Sequence, residues 1–153
     1  MKMDEQANSN IIIGCDHAAF KLKNKIISFL KKKNYSVHDV GTYSEESVDY
    51  PDYAVKLAEC ISKGEFERGI LLCGSGIGMS IVANRFKKVR AALCNDIFSA
   101  KMSRLHNNSN VLVMGARLIG DILAFNIIET WLETSFEDGR HNNRIKIFDN
   151  LGQ

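Results

Sequence analysis

The feature that most constrains the fold is a regular alternation between short apolar segments and longer amphipathic ones. Each apolar segment is rich in aliphatic residues, and each is followed by a stretch with helical periodicity. The predicted strands cover residues 11–15, 36–40, 69–73, 90–94 and 111–114. The predicted helices cover residues 19–33, 52–63, 77–86, 97–106 and 120–134. The chain is therefore expected to repeat a β-strand followed by an α-helix along most of its length.

Strands that are apolar on both faces are expected where helices cover both sides of a parallel sheet. The runs IIIG, ILLC, AALC and VLVM have this character. They predict an α/β fold, a three-layer Rossmann-like sandwich around a five-stranded parallel sheet. A glycine at position 139 followed by a short helical pattern predicts a C-terminal helical extension. Residues 1–9 are polar and are interpreted as a flexible leader, and residues 10–153 as a single domain.

Composition argues against several classes of protein. The chain has 153 residues and a net charge of +2, too small a charge to favour nucleic acid as a partner. Its apolar runs are too short to span a membrane, which together with the polar leader predicts a cytoplasmic protein. The cysteines form no CxxC pair and the histidines no HExxH spacing, so neither a disulfide framework nor a metal site is indicated. The lysines between positions 21 and 33 are interpreted as the solvated face of a helix.

Candidate functional residues follow the predicted strands, because ligands of open parallel sheets bind beyond the carboxyl ends of the strands. Asp16 and His17 follow the first strand, and Arg117 follows the fifth. The third strand ends at Cys73 and continues into the glycine-rich stretch GSGIG at residues 74–78. The N–H groups of such a loop, with the start of the next helix, converge on negative charge. The sequence thus predicts an anion-binding site at this edge of the sheet.

Each candidate also has an ordinary structural interpretation. Cys73 is either an inert small hydrophobe or a thiolate, stabilised by the loop, that acts as a base or nucleophile. His106 is either a helix C-cap or an acid near an edge of the sheet. Arg140 and Arg144 share a predicted helix face with apolar residues, which indicates either ion pairs or an anionic ligand. Asp96, about 20 residues beyond the loop, keeps open a nucleotide-binding Rossmann module.

Five stretches of the sequence match a known pattern in a shared order. They are GCDHAAFKLK, SVDYPDYA, GILLCGSGIGMSIVANRFKKVRAALC, SAKMSRLHNNSNVLVMGAR and GRHNNRI. Over about residues 11–145 the chain resembles the type B ribose-5-phosphate isomerases, within a family that includes galactose-6-phosphate isomerase subunits. The resemblance implies cofactor-free interconversion of ribose 5-phosphate and ribulose 5-phosphate in the pentose phosphate pathway. It also implies a homo-oligomer, dimer or tetramer, with active sites shared between subunits.

The resemblance also implies a role for each candidate residue. Cys73 matches the base that transfers the proton, and His106 matches the acid that opens the sugar ring. The residues that match substrate contacts are Asp16, His17, Gly74, Ser75, Gly76, Ile77, Gly78, Asn107, Arg117, Arg140 and Arg144. No metal ion and no other cofactor is implied. An isomerase of six-carbon phosphosugars, such as allose or galactose 6-phosphate, stays open as an alternative because it differs only in pocket size.

Overall fold

The computed structural model describes residues 10–151 and builds them into one parallel sheet between two layers of helices. The strands are β1 (Asn10–Cys15), β2 (Ser36–Asp39), β3 (Arg68–Cys73), β4 (Ala91–Leu93) and β5 (Val111–Gly115). The helices are α1 (Phe20–Lys32), α2 (Tyr50–Ser62), α3 (Ile77–Ala83), α4 (Ile97–Asn107), α5 (Asp121–Glu133) and α6 (Arg140–Asp149). The predicted α/β sandwich with its C-terminal helical extension is confirmed. The leader interpreted at residues 1–9 lies outside the described residues.

The order of strands across the sheet is β2-β1-β3-β5-β4, and every neighbouring pair is parallel. The central strand β3 aligns Leu72 with Cys15 of β1, and Cys73 with Gly115 of β5. Because all five strands run the same way, β1, β3 and β5 end side by side. We call that side of the sheet the carboxyl edge, and the side where the strands begin the amino edge.

The sheet separates two apolar cores, which is why its three central strands, β1, β3 and β5, are apolar and buried on both faces. On one side α1, α4 and α5 surround the buried Trp131, whose indole N–H donates to Ser109 Oγ at 2.8 Å. On the other side α2 and α3 pack against the sheet through residues such as Leu57 and Met79. No helix within residues 10–151 is both long enough and apolar enough to cross a bilayer.

Lys23 departs from the sequence interpretation of its neighbours as a solvated lysine face. Its side chain is fully buried, and Nζ donates to both Asp39 carboxylate oxygens at 2.7 Å and to the Thr42 carbonyl at 2.6 Å. Lys21, by contrast, forms an exposed ion pair with Glu45. The interpretation is therefore wrong for Lys23, because its Asp39 partner lies on a neighbouring strand. This contact ties α1 to β2 and to the loop that follows β2.

We expect Lys23→Met to lower the free energy of unfolding by about 3 kcal/mol, because it leaves the Asp39 carboxylate without its buried partner. Lys21→Met is the matched control and should change it by less than about 1 kcal/mol, since exposed ion pairs contribute little. Urea unfolding followed by circular dichroism measures both. Equal losses in the two variants would contradict a structural role for the buried pair.

Candidate active site

The carboxyl edge of the sheet brings together the segments that follow β1, β3 and β5. The Asp16 N–H donates to the Leu72 carbonyl at 3.2 Å, just before Cys73. On the other side of β3, the Ala116 N–H donates to the Cys73 carbonyl at 2.9 Å. The Arg117 N–H donates to the Gly74 carbonyl at 3.0 Å. Backbone hydrogen bonds therefore hold three of the predicted segments around one strand end.

The loop at residues 74–78 has its shape because two of its glycines cannot carry a side chain. Gly76 has a φ of +79°, and a Cβ there would lie 2.5 Å from Leu93 Cδ1 and 3.0 Å from the Met114 carbonyl carbon. A Cβ on Gly78 would lie 2.5 Å from the Tyr50 ring. The close turn directs the Gly76 N–H to the Cys73 Sγ at a distance of 3.1 Å. The sulfur thus lies against the concave side of the loop.

The four cysteines are free thiols, but their surroundings differ. Burial raises the pKa of the Cys15 thiol to about 12 and that of the Cys94 thiol to about 11, so both stay protonated at neutral pH. Burial also raises the pKa of Cys60, which lies on α2. Cys73 is the cysteine whose sulfur accepts a hydrogen bond from the glycine loop. This hydrogen bond from the loop, rather than its position at the end of a strand, distinguishes Cys73 from the other three cysteines.

Two donors flank the glycine loop. His17 Nδ1 accepts a hydrogen bond from the Val48 N–H at 3.2 Å, so in the neutral ring the proton is on Nε2, where it can be donated to a ligand. The exposed Arg117 side chain passes over Gly74, with Nη1 only 3.3 Å from the position of a Cβ on that glycine. The Asp16 carboxylate accepts the Ala18 N–H at 3.0 Å and caps the turn that carries His17. The arrangement suits an anionic ligand.

His106 and Asn107 lie at the amino edge, away from Cys73 of their own chain. Helix α4 starts beyond the carboxyl end of β4, and its 11 residues rise about 16 Å before β5 begins. The crossover helix therefore carries His106 to the edge opposite Cys73, and the structure does not bring these two predicted residues together within one chain. Asn107 lines a cavity of about 430 Å³ beside Arg90 and Phe148, also away from Cys73.

Helix α6 places Arg140 and Arg144 in solvent near His106. The His106 ring stacks on the His141 ring of α6, with centroids 4.4 Å apart. The face of α6 that packs on its own chain carries His141 and Ile145, whereas both arginines are exposed. The predicted arginine face also includes Phe148 and Leu151, which are exposed as well. Within the described residues of one chain, this arginine face is therefore left uncovered.

Asp96 is the acid on which the nucleotide-binding alternative depends. Its carboxylate already accepts hydrogen bonds within the chain. It accepts the Ser99 N–H and the Ser99 hydroxyl, both at 2.7 Å, as the N-cap of α4. These hydrogen bonds also hold the pKa of Asp96 below its usual value. The residue is a helix cap rather than a free ribose-binding acid, which removes the support for that alternative.

Known proteins share both the sequence and the fold. The sequence profile of a family described as ribose/galactose isomerase matches residues 11–148. Ribose-5-phosphate isomerase B of Escherichia coli is 43% identical over 94% of this chain and 96% of its own length. D-erythrulose-4-phosphate isomerase of Pectobacterium atrosepticum is 48% identical over 85% and 86%. The crystal structure of a ribose 5-phosphate isomerase from Thermotoga maritima is 54% identical, with a TM-score of 0.91 over 93% of this chain and 98% of that one.

The glycine loop yields a stability prediction with a matched control. Gly76 and Gly64 have nearly the same positive φ, +79° and +77°, but no atom lies within 4 Å of a Cβ built on Gly64. Both Gly→Ala variants share the backbone strain, and only Gly76→Ala adds a steric clash. We expect Gly76→Ala to lower the free energy of unfolding by about 1 to 3 kcal/mol more than Gly64→Ala does. Indistinguishable urea midpoints would contradict this account of the loop.

Proposed function

The chain belongs to the ribose/galactose isomerase family, and from that premise we propose that it is an aldose-ketose isomerase that interconverts ribose 5-phosphate and ribulose 5-phosphate. The observation that carries the proposal is the Cys73 sulfur, held 3.1 Å from the Gly76 N–H. A base beside a loop of backbone donors is what proton transfer between neighbouring sugar carbons needs. We take residues 10–153 as a single isomerase domain.

The proposed proton transfer uses only side-chain and backbone groups of this protein. The Cys73 thiolate removes the proton from C2 of the open-chain aldose, and the electron pair forms the double bond of an enediolate. The same proton returns to C1, while the hydroxyl on C2 gives its proton to the oxygen on C1 and becomes a carbonyl. C1 is reduced and C2 is oxidised in equal measure, so neither an oxidant nor a reductant is required. N–H groups of the loop at residues 74–78, other than that of Gly76, which donates to the Cys73 sulfur, stabilise the negative oxygen of the intermediate.

The phosphate of the substrate has several positively charged or donating partners in the proposal. His17 Nε2 and the Arg117 guanidinium flank the glycine loop on the carboxyl edge. Arg140 and Arg144 stand four residues apart on α6, and guanidinium groups make paired hydrogen bonds to phosphate. Contacts to a remote phosphate hold the small sugar in register with the base.

We further propose that each active site is built from two copies of the chain. The substrate is mainly a closed furanose in water, so an acid must open the ring, and His106 is the proposed acid. In one chain the length of α4 separates His106 from Cys73. A homo-oligomer in which His106, Asn107, Arg140 and Arg144 of the partner subunit face Cys73 completes the site.

Exposed apolar side chains support this assembly. One group surrounds the carboxyl edge and consists of Ile77, Ile81, Leu93, Ile97, Phe98, Leu118 and Ile122, each between 37% and 75% exposed. A second group lies on α6 and just beyond its C-terminus and consists of Ile147, Phe148 and Leu151. Monomeric proteins rarely leave such groups uncovered together, and larger apolar patches mark interfaces. A second copy of this chain brings an apolar surface to each half of the site.

The proposal places the enzyme in the cytoplasm and in the pentose phosphate pathway.

We expect Cys73→Ala to lower kcat by about 10² to 10⁴, because it removes the general base, and to change KM little. Cys60→Ala is the matched control and should keep kcat within about twofold of the original protein, since its thiol is kept protonated at neutral pH by burial. A coupled spectrophotometric assay with ribose 5-phosphate measures both. A Cys73→Ala variant that turns over at the original rate would remove Cys73 from the mechanism.

The substrate is tested by the same assay on a panel of phosphosugars. Ribose 5-phosphate should give the highest kcat/KM, above allose 6-phosphate and galactose 6-phosphate. D-erythrulose 4-phosphate belongs on the panel because a relative 48% identical to this chain is named for it. A clear preference for one of the other sugars would reassign the substrate within the family, and no turnover of any of them would overturn the proposed function.

A further inference from the structure

Three potential metal ligands converge where α4 and α6 meet, outside the carboxyl edge. They come from the end of α4 (His106), from the segment before α6 (Glu137) and from the first turn of α6 (His141). Glu137 Oε2 lies 3.8 Å from His106 Nε2 and 3.5 Å from His141 Nε2. One ligand atom from each residue falls within 4.8 Å of the other two. The positions of these residues in the sequence do not predict the cluster, because only the fold brings His106 close to the other two.

His141 Nε2 is a buried polar atom with no hydrogen-bond partner among the described residues. Glu137 Oε2, at 3.5 Å, is too far away for a normal hydrogen bond. Buried nitrogens without a partner are uncommon in folded proteins, and one that faces another imidazole and a carboxylate indicates an unfilled ligand position.

We propose that His106, Glu137 and His141 bind a divalent transition-metal ion, such as Zn²⁺ or Co²⁺, through Nε2, Oε2 and Nε2. Bonds of about 2.0 to 2.2 Å in a tetrahedral site put neighbouring ligand atoms about 3.4 Å apart. The two distances to Glu137 already approach that value. The stacked rings must tilt apart to share an ion, and the His106 side chain, 40% exposed, is the one free to rotate.

The charges around the cluster set the expected strength of binding. Glu137 supplies one negative charge, whereas Arg140 and Arg144 lie close enough to act on His141 electrostatically. Their repulsion of a cation makes micromolar affinity the expectation rather than the much tighter binding of structural zinc sites. A fourth ligand position stays open for water, as in zinc sites with three protein ligands.

Metal binding at this cluster also affects activity, a consequence that rests on the proposed function. A metal ion bound at His106 Nε2 holds the imidazole of the proposed ring-opening acid and prevents that nitrogen from taking a proton. Binding therefore inhibits the isomerase reversibly, although the reaction itself uses no metal. The cluster would make the enzyme sensitive to an excess of free transition metal.

The binding experiment is a Co²⁺ titration of the Cys73→Ala protein, which removes a competing thiolate. We expect one ion per chain, with the visible absorption of four-coordinate cobalt. Glu137→Gln and His141→Asn should each weaken binding at least about 10-fold, whereas His38→Asn, which removes an exposed histidine elsewhere, should have no effect. Glu137 is also exposed, so its variant tests the site even if His141→Asn fails to fold. No stoichiometric binding, or binding that Glu137→Gln leaves unchanged, would overturn the inference.

The activity experiment separates the inference from the proposed function. Zn²⁺ should inhibit the protein with intact Cys73, a chelator should restore its rate, and Glu137→Gln should need at least about 10-fold more Zn²⁺ for the same inhibition. Cobalt binding at the cluster without inhibition by metal would overturn the inhibitory consequence and leave the site standing. Failure to isomerise any phosphosugar would overturn the proposed function, while the cobalt titration would still decide the metal site.

Discussion

The length of a crossover helix is the constraint on which the account of this protein depends. In a parallel sheet every strand ends at the same edge, and each helix must carry the chain back to the opposite edge before the next strand begins. Helix α4 does so over 11 residues, about 16 Å. Groups placed after strands and groups placed after helices are therefore separated within one chain. Cys73 belongs to the first set and His106 to the second, so we propose that chemistry using both takes place between two chains.

The carboxyl edge is organised before any ligand arrives. Hydrogen bonds from Ala116 and Arg117 fix the backbone of Cys73 and Gly74, and the turn at Gly76 directs an N–H to the sulfur. On the other side of β3, the buried contact between Lys23 and Asp39 anchors the loop that supplies the Val48 N–H to His17. Donors held in this way need little reorganisation during the reaction, which is where such sites gain most of their effect. Stability and chemistry thus depend on the same backbone contacts.

The sequence predicted what local patterns determine and missed what distant contacts determine. Continuous apolar runs marked four of the five strands, and strand ends marked Cys73, the glycine loop and Arg117 as one group. Lys23 was misjudged because its partner stands 16 positions away on another element. The stacking of His106 on His141 was missed for the same reason, since nothing in the spacing shows how α6 docks on α4. The helical wheel of α6 identified the arginine face, but a wheel cannot tell whether a face packs on its own chain.

The central claim, that two chains build each active site, is tested most directly by mixing Cys73→Ala and His106→Asn proteins under conditions of subunit exchange. If the two groups act across the interface, a mixed dimer contains one site with both groups intact and one site with neither. Random exchange of equal amounts should then restore about a quarter of the original activity, since half of the dimers are mixed. Native mass spectrometry gives the fraction of mixed dimers. A rate that stays at the mean of the two parents, with exchange complete, would place Cys73 and His106 in the same chain's site and contradict the account.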